Sequence, residues 1–342
     1  MDKDLAISLT DEEWEKSIIP ELVEYIRVPN KSPAFDPDWQ SNGFMEQVVD
    51  QFVAWSQHQN IEGMELDVIR LPKRTPLIFI DIPGDTENTV LLYGHLDKQP
   101  EMMGWNEGFG PWKPVLKENK LYGRGGADDG YALFASLLAI KILHKQKIPH
   151  ARCVVIIEAC EESGSYDLPF YIDHLKDRLG KPELVICLDS GCGNYEQLWS
   201  TTSLRGLVGG ELKVEVLDEG IHSGDISGII PSSFRILRQL LDRIEDPVSG
   251  QILLKECYVD IPNKRIEQAK HAASVLNENV FRRFPIKGNI RPVSDDLVEL
   301  ILNRSWRPTL SYLGASGLPE INDAGNVLRP VSYTHLTLPT KA

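Results

Sequence analysis

Apolar and polar positions change their period several times along the chain. Over "DEEWEKSIIPELVEYIRV" and "FMEQVVDQFVAWSQH", within the first 58 residues, apolar side chains recur every three or four positions and predict two helices joined by a Pro- and Asp-rich link. Short apolar runs follow at 64–70 ("MELDVIR"), 77–82 ("LIFIDI"), 89–93 ("TVLLY"), 153–159 ("CVVIIEA") and 183–189 ("ELVICLD"), all of strand length. "YALFASLLAIKILHKQ" (131–146) is the helix expected between the third and fourth strands. Hydrophobicity in the last three runs is continuous rather than alternating, which predicts burial on both faces, as in a parallel sheet covered by helices. From Gly206 the texture changes, and "GLVGGELKVEVLDEG" alternates in the manner of a half-buried strand. Helices are expected at 232–244, after a serine cap, and near 265–276. The pattern predicts an α/β first domain over 1–205, with a mainly parallel sheet flanked by helices, and a smaller α+β domain over 206–330. "VSYTHLTLPTKA" (331–342) has no period long enough to define an element and resembles read-through of a cloning vector, so it is expected to be a non-native tail.

Composition supports this division. At 342 residues the chain exceeds the roughly 250–300 at which a single core stops growing. Apolar content of 42% and charged content of 25% are ordinary for a soluble globular protein. A net charge of −14 argues against nucleic acid or an anionic membrane as partner, since both need a basic footprint, and it invites cations. No apolar stretch approaches the roughly 18 residues of a membrane span, and the N-terminus lacks the pattern of a signal peptide, so a cytoplasmic protein is expected. Five cysteines form an odd, sparse set that reads as free thiols rather than a disulfide frame.

Four acidic or imidazole-bearing segments stand just past the predicted strands or in glycine turns. In "LLYGHLDKQP" the strand runs into His95 and Asp97, which two-residue spacing puts on one side; a lone His-x-Asp otherwise reads as a surface turn. "LYGRGGADDGYALF" sets Asp128 and Asp129 just before a helix, where one of them is expected to serve as the cap. A dinucleotide fingerprint would need glycine at 128 and a P-loop would need Gly-Lys-Ser/Thr, so phosphate cradling is excluded. "VVIIEACEESGS" carries Glu161 and Glu162 directly after a buried strand, where adjacent side chains point apart; one can grip a metal while the other accepts a proton. Paired glutamates are also common on solvated surfaces. In "LVICLDSGCG" Asp189 again follows an apolar strand. Oxygen and nitrogen donors without a cysteine cluster suit zinc, manganese or cobalt. Three carboxylates are excessive for one dication but suited to two sharing a carboxylate about 3.5–4 Å apart, the arrangement of paired-metal hydrolases acting on peptide or amide bonds.

"GHLDKQP", "YGRGGADDG", "EESGS", "CLDSG" and "IHSG" resemble, in order and spacing, the motifs of the M20 metallopeptidases over roughly residues 10–330. "GHLDKQPEMMGW" and "GPWKPV" place the resemblance in the carnosinase-like dipeptidase branch. The resemblance implies His95 and Asp189 as ligands of one metal, Asp97 orienting His95, Asp128 as the bridging carboxylate with a cis peptide bond to Asp129, Glu162 as a ligand of the other metal, and Glu161 as general base. It implies that the second domain is a lid and dimerisation domain. His222, which alone reads as a loop histidine, then stabilises the oxyanion in the partner subunit's site. Two divalent ions are implied, zinc ahead of manganese or cobalt. The function implied is hydrolysis of dipeptides or short peptides through a metal-bridging water activated by Glu161, in a homodimer. Members of the branch are longer by about a hundred residues or more. The chain is therefore expected to be truncated within the second domain, without the returning catalytic segment and a further metal-binding histidine. The alternatives are an N-acyl amino-acid amidohydrolase, or an inactive truncated metal-binding module that dimerises.

Overall fold

A computed structural model describes residues 1–340. The chain divides into two compact units, Met1–Gly191 and one that begins at Cys192.

The first unit opens with helices α1 (Lys3–Glu13), α2 (Ile19–Arg27) and α3 (Phe44–Gln57), and continues through strands β1 (Glu65–Ile69), β2 (Leu77–Ile82) and β3 (Thr86–His95). A small hairpin, β4 (Val115–Lys117) and β5 (Lys120–Tyr122), precedes α4 (Ala132–Lys145), β6 (Ala151–Glu158), α5 (Leu168–His174), α6 (Lys176–Leu179) and β7 (Leu184–Cys187). The main sheet has the order β1-β2-β6-β3-β7. It is mixed, with one strand reversed: β1 and β6 each run antiparallel to β2, and β3 runs parallel to β6 and to β7. β2 is reversed because a short link joins it to β1, which permits a hairpin and leaves no room for a crossover helix.

Helices cover both faces, as continuous apolar strands require. On one side Tyr25, Phe52, Trp55 and Phe134 from α2, α3 and α4 meet ring to ring, with centroids 5.3, 5.0 and 4.7 Å apart, over Ile78, Ile80, Val155 and Ile157. On the other, Tyr171, Leu175 and Leu179 close over Leu77, Phe79, Val154 and Ile156. The expectation of burial on both faces fails for β7. It is an edge strand, and its Leu184 and Val185 are 52% and 58% exposed.

The second unit contains β8 (Gly206–Glu215), β9 (Ile221–His222), α7 (Ser223–Ile226), α8 (Ser233–Leu241), α9 (Asn263–Leu276), α10 (Asn279–Arg282), α11 (Leu297–Ser305), β10 (Ser311–Ser316), β11 (Val327–Leu328) and β12 (Val331–Thr340). Ser232 takes the N-cap position of α8 without a side-chain bond. The apolar face of α8, through Leu237 and Leu241, packs on Val214 of an antiparallel sheet ordered β10-β12-β8. The segment expected to define no element is thus the central strand of this sheet: it pairs along its length with β8 and also with β10. Its run of Val, Tyr and Thr residues carries strand propensity that a search for long periods passes over. The remaining residues of that segment, 341 and 342, lie outside the described residues. All five cysteines are free, Cys153 and Cys160 buried and Cys187 and Cys192 exposed. No helix among the described residues is long and apolar enough to cross a membrane.

Candidate metal centre

The carboxyl ends of β3, β6 and β7 lie side by side, so the segments that follow them converge, as ligand-binding segments do in open α/β sheets. His95 is the last residue of β3 and is fully buried. Its backbone N–H donates to Asp129 Oδ2 (3.3 Å), and Nδ1 lies 3.0 Å from the carbonyl oxygen of Asp97. That carbonyl fixes the tautomer with the proton on Nδ1 and leaves Nε2 as a lone-pair donor. Nε2 makes no aligned hydrogen bond, yet Asp128 Oδ1, Asp189 Oδ2 and Glu161 Oε2 surround it at 3.3, 3.7 and 3.8 Å.

Two donor groups result, His95–Asp128–Asp189 and His95–Glu161–Glu162; within each, one donor atom per residue lies within 4.8 Å of the others. In Glu162, Oε2 accepts a short bond from Gln99 Nε2, while Oε1 is buried without a partner. Buried polar atoms in folded proteins are almost always satisfied. Here a buried imidazole nitrogen and a buried carboxylate oxygen lack partners at the same point, and an ion accepting both lone pairs would satisfy them. The residues present therefore fit a divalent cation.

Asp97 does more than stand beside the histidine ring. Its carboxylate oxygens accept the backbone N–H groups of Glu161 (3.1 Å) and Glu162 (3.0 Å), while its closest approach to His95 Nδ1 through the carboxylate is 3.5 Å. One buried carboxylate thus sets the turn that presents both glutamates. The Asp128–Asp129 peptide bond is cis. Neither aspartate caps α4, whose N-cap is Tyr131 with no side-chain bond. Asp129 is instead buried against the His95 backbone. A Cβ on Gly94 would stand 2.4 Å from Ala132 Cβ and 2.7 Å from Asp129 Oδ2, so only glycine lets β3 approach this close. Tyr131 ties the third strand's exit to this turn by a short bond to the Leu188 carbonyl, next to Asp189.

Crowding shapes the proton affinities. Burial first, then Asp189 and Asp128, pushes Asp129 up to about 8; burial, with Asp128 and Glu161, raises Glu162 to about 7. Glu161 and Asp189 are raised by burial. For His95 burial opposes the charged form, but the neighbouring carboxylates of Asp128 and Asp97 outweigh it and push the ring up to about 12, so that with no ion among them the ring keeps a second proton on Nε2, in the place a cation would take. Asp128 is lowered by its contact with the same ring. These carboxylates cannot all ionise cheaply unless positive charge is supplied among them.

Two neighbours lay in the quoted motif without being assigned a role. Gln99 is the Glu162 partner. Lys98 is fully buried, donates to the carbonyls of Tyr25 (2.6 Å) and Val28 (2.7 Å) at the end of α2, and lies 3.7 Å from the centroid of the Tyr25 ring. Its stem packs against Gly125, whose φ of +87° turns the chain toward Asp128. Two polar residues directly after an apolar strand and an HxD were the available signal. His222 lies in the second unit, its side chain 61% exposed, with Nδ1 accepting the Gly224 N–H at 3.1 Å.

Residues 91–273, more than half of the chain and spanning every segment of this centre, match the profile of Peptidase family M20/M25/M40. The chain belongs to that family. Among M20 relatives, the human Beta-Ala-His dipeptidase is 29% identical over 248 residues, covering 71% of this chain and 48% of that protein. The Cys-Gly metallodipeptidase of Saccharomyces cerevisiae is 27% identical over 265 residues, covering 74% and 53%. The chain spans about half the length of the curated relatives it matches. The crystal structure of human carnosine dipeptidase 1 shares the fold, with a TM-score of 0.72 at 21% identity, covering 99% of this chain and 72% of that one. The M20 family metallo-carboxypeptidase of Sulfolobus solfataricus gives 0.71 at 17%, covering 95% and 71%.

Proposed function

We propose that this M20 chain belongs to a metal-dependent dipeptidase. The observation that carries the reading is the buried His95 Nε2, without a hydrogen-bond partner and faced by three carboxylates from three different segments. His95, Asp128 and Asp189 would hold one divalent ion and Glu162, sharing Asp128, a second. Zinc is the first choice, although a donor set this rich in carboxylate also suits manganese or cobalt. When bound, such ions polarise a scissile carbonyl and make water a nucleophile near neutral pH.

The chain's own residues divide the remaining work. Glu161 is the proton carrier: its carboxylate is one-third exposed, at the mouth of the cluster, and can take a proton from attacking water and return it to the leaving nitrogen. Asp97 keeps Glu161 and Glu162 in place through their backbone N–H groups. The Asp97 carbonyl keeps the His95 lone pair directed at the carboxylates. Short peptides are the proposed substrates, because the relatives named above act on β-alanyl-histidine and cysteinyl-glycine by their names. On the strength of the "IHSG" motif, His222 is proposed to stabilise the developing oxyanion in a homodimer. Free thiols throughout accord with a reducing, cytoplasmic compartment.

The test is Glu161→Gln assayed on β-alanyl-histidine and cysteinyl-glycine. Turnover is expected to fall by about 10²–10⁴-fold, the usual worth of a proton-transfer group, with metal content near that of the unaltered protein. Retained turnover, or loss of metal instead of turnover, overturns the assignment of the base.

A further inference from the structure

A cleft of about 540 Å³ opens between the loop that follows Gln99 and the β4–β5 hairpin that leads to the Asp128 turn. Met102 and Trp105 line it from the loop, Tyr122 and Arg124 from the hairpin and its exit. Both segments are continuous with the metal centre: Gln99, which bonds Glu162, stands three residues before Met102, and Arg124 stands four residues before Asp128. Such lengths of chain span at most about 10–14 Å, so the cleft lies within reach of an extended side chain on a peptide bound at the centre.

Arg124 lacks the partner its burial calls for. Half-buried, it forms no ion pair among the described residues, and its Nε is buried without a hydrogen-bond acceptor. Arginines taken out of water are ordinarily paired. The guanidinium stands 5.9 Å from the centroid of the Trp105 ring, a contact that orients it but accepts none of its N–H groups in a hydrogen bond. Its backbone is fixed as well: the Arg124 N–H donates to the Pro111 carbonyl at 2.8 Å, and the adjoining Gly125 packs so closely on Lys98 that a Cβ there would stand 2.6 Å from Lys98 Cε. Lys117 and Glu118 line the same cleft with opposite charges, so Arg124 supplies its net positive charge, in a chain that carries −14 overall. That charge is felt at Asp128, which the His95 ring holds low first and Arg124 further.

We propose that this cleft is a substrate subsite in which Arg124 binds the side-chain carboxylate of an acidic residue of the peptide, with the methylenes of that side chain against Trp105 and Tyr122. The inference rests on the dipeptidase reading and deepens it by naming the side chains the enzyme prefers. A carboxylate meets the planar guanidinium with two parallel bonds and so completes the orphaned Nε. A neutral amide of the same length offers one acceptor and no charge. The C-terminal carboxylate of a dipeptide stands only two bonds beyond the scissile nitrogen, among the metal-site carboxylates, and Arg124 pairs with none of these. A side chain reaches further, to where the arginine is.

The test is calorimetric titration of the chelated protein, in which no hydrolysis interferes, with β-alanyl-glutamate and β-alanyl-glutamine. The unaltered chain is expected to bind the glutamate peptide at least about tenfold more tightly, the worth of one charge-assisted pair. Arg124→Gln is expected to abolish that preference, and Arg124→Lys, which keeps the charge without the fork, to retain part of it. Equal binding of the two peptides by the unaltered chain, or binding of neither, overturns the proposal whether or not the variants fold. So does a preference that survives in Arg124→Gln. A dependence on Arg124 that vanishes when the peptide's C-terminus is amidated, and not when glutamate becomes glutamine, also overturns it, since the arginine then reads the chain end. Turnover of β-alanyl-histidine by the zinc-loaded chain, measured alongside, reports on the dipeptidase reading separately.

Discussion

The two ends of β6 carry titratable groups in close pairs, but they satisfy them differently. At its carboxyl end the polar atoms are buried and several lack partners: His95 Nε2, Asp129 Oδ1, Glu158 Oε2 and Glu162 Oε1. At its amino end the imidazoles of His144 and His150 partner each other beside an open cleft. Close pairing of ionisable groups is therefore not what marks the candidate metal centre. What marks it is burial without satisfaction, together with backbone N–H groups used to aim carboxylates. A fold tolerates such groups only where something outside the chain completes them.

The largest effect that would sharpen this contrast comes from His95→Ala. His95 is the nitrogen ligand of one ion in the proposed set, so its removal is expected to lower metal content by about one ion per chain and reduce dipeptide hydrolysis by at least about 10³-fold, as measured by elemental analysis and a peptidase assay. Normal metal content in this variant would break the contrast outright. Asp97→Asn comes next. The new amide must turn an N–H toward a backbone N–H, so one of two charge-assisted bonds is lost, about 1.5–3 kcal/mol of stability by denaturant titration, with at least a tenfold fall in kcat as Glu161 and Glu162 shift.

Smaller changes probe the supporting structure. Lys98→Met keeps the stem but removes the donor to the Val28 carbonyl and leaves the Tyr25 carbonyl only the Val28 N–H, at a cost of about 1–3 kcal/mol. Because the stem bears on Gly125 and not on the substrate, kcat is expected to fall with KM little changed. The reverse split would place Lys98 in substrate binding. Smallest is the pH dependence due to Glu158, raised to about 7 by burial, against 4.5 for an ordinary glutamate. Its folded form holds a proton that its unfolded form has released, so its contribution to stability is present below about pH 4.5 and is lost as pH rises toward about 7. Thermal melts of the chelated protein across that window are expected to decline less steeply for Glu158→Gln than for the unaltered chain.

Much of the first unit was legible because its signals are local. Strands that are apolar throughout, followed at once by His95, Glu161 or Asp189, specify both a buried sheet and the edge where polar groups emerge. The part that was not legible depends on partners distant in sequence. Asp97 reads as a companion of His95, two residues away, yet its carboxylate is spent on backbone groups more than sixty residues later. Nothing in its own segment marks Lys98 as buried; it is the carbonyls of Tyr25 and Val28, some seventy residues earlier, that fold onto it. The reversal of β2 follows from loop length and the place of β7 from the order of the sheet; neither is written in hydrophobicity. The segment 331–340 misled the reading for a related reason, because a strand is defined by what it pairs with, and β8 and β10 supply that pairing.

Diffraction from crystals grown with manganese(II), using its anomalous signal, tests the central claim most directly. Two peaks about 3.5–4 Å apart are expected, one within bonding distance of His95 Nε2, Asp128 and Asp189 and the other of Asp128 and Glu162. Crystals with no peak beside His95 Nε2, or with that nitrogen hydrogen-bonded to a side chain instead, would contradict the account.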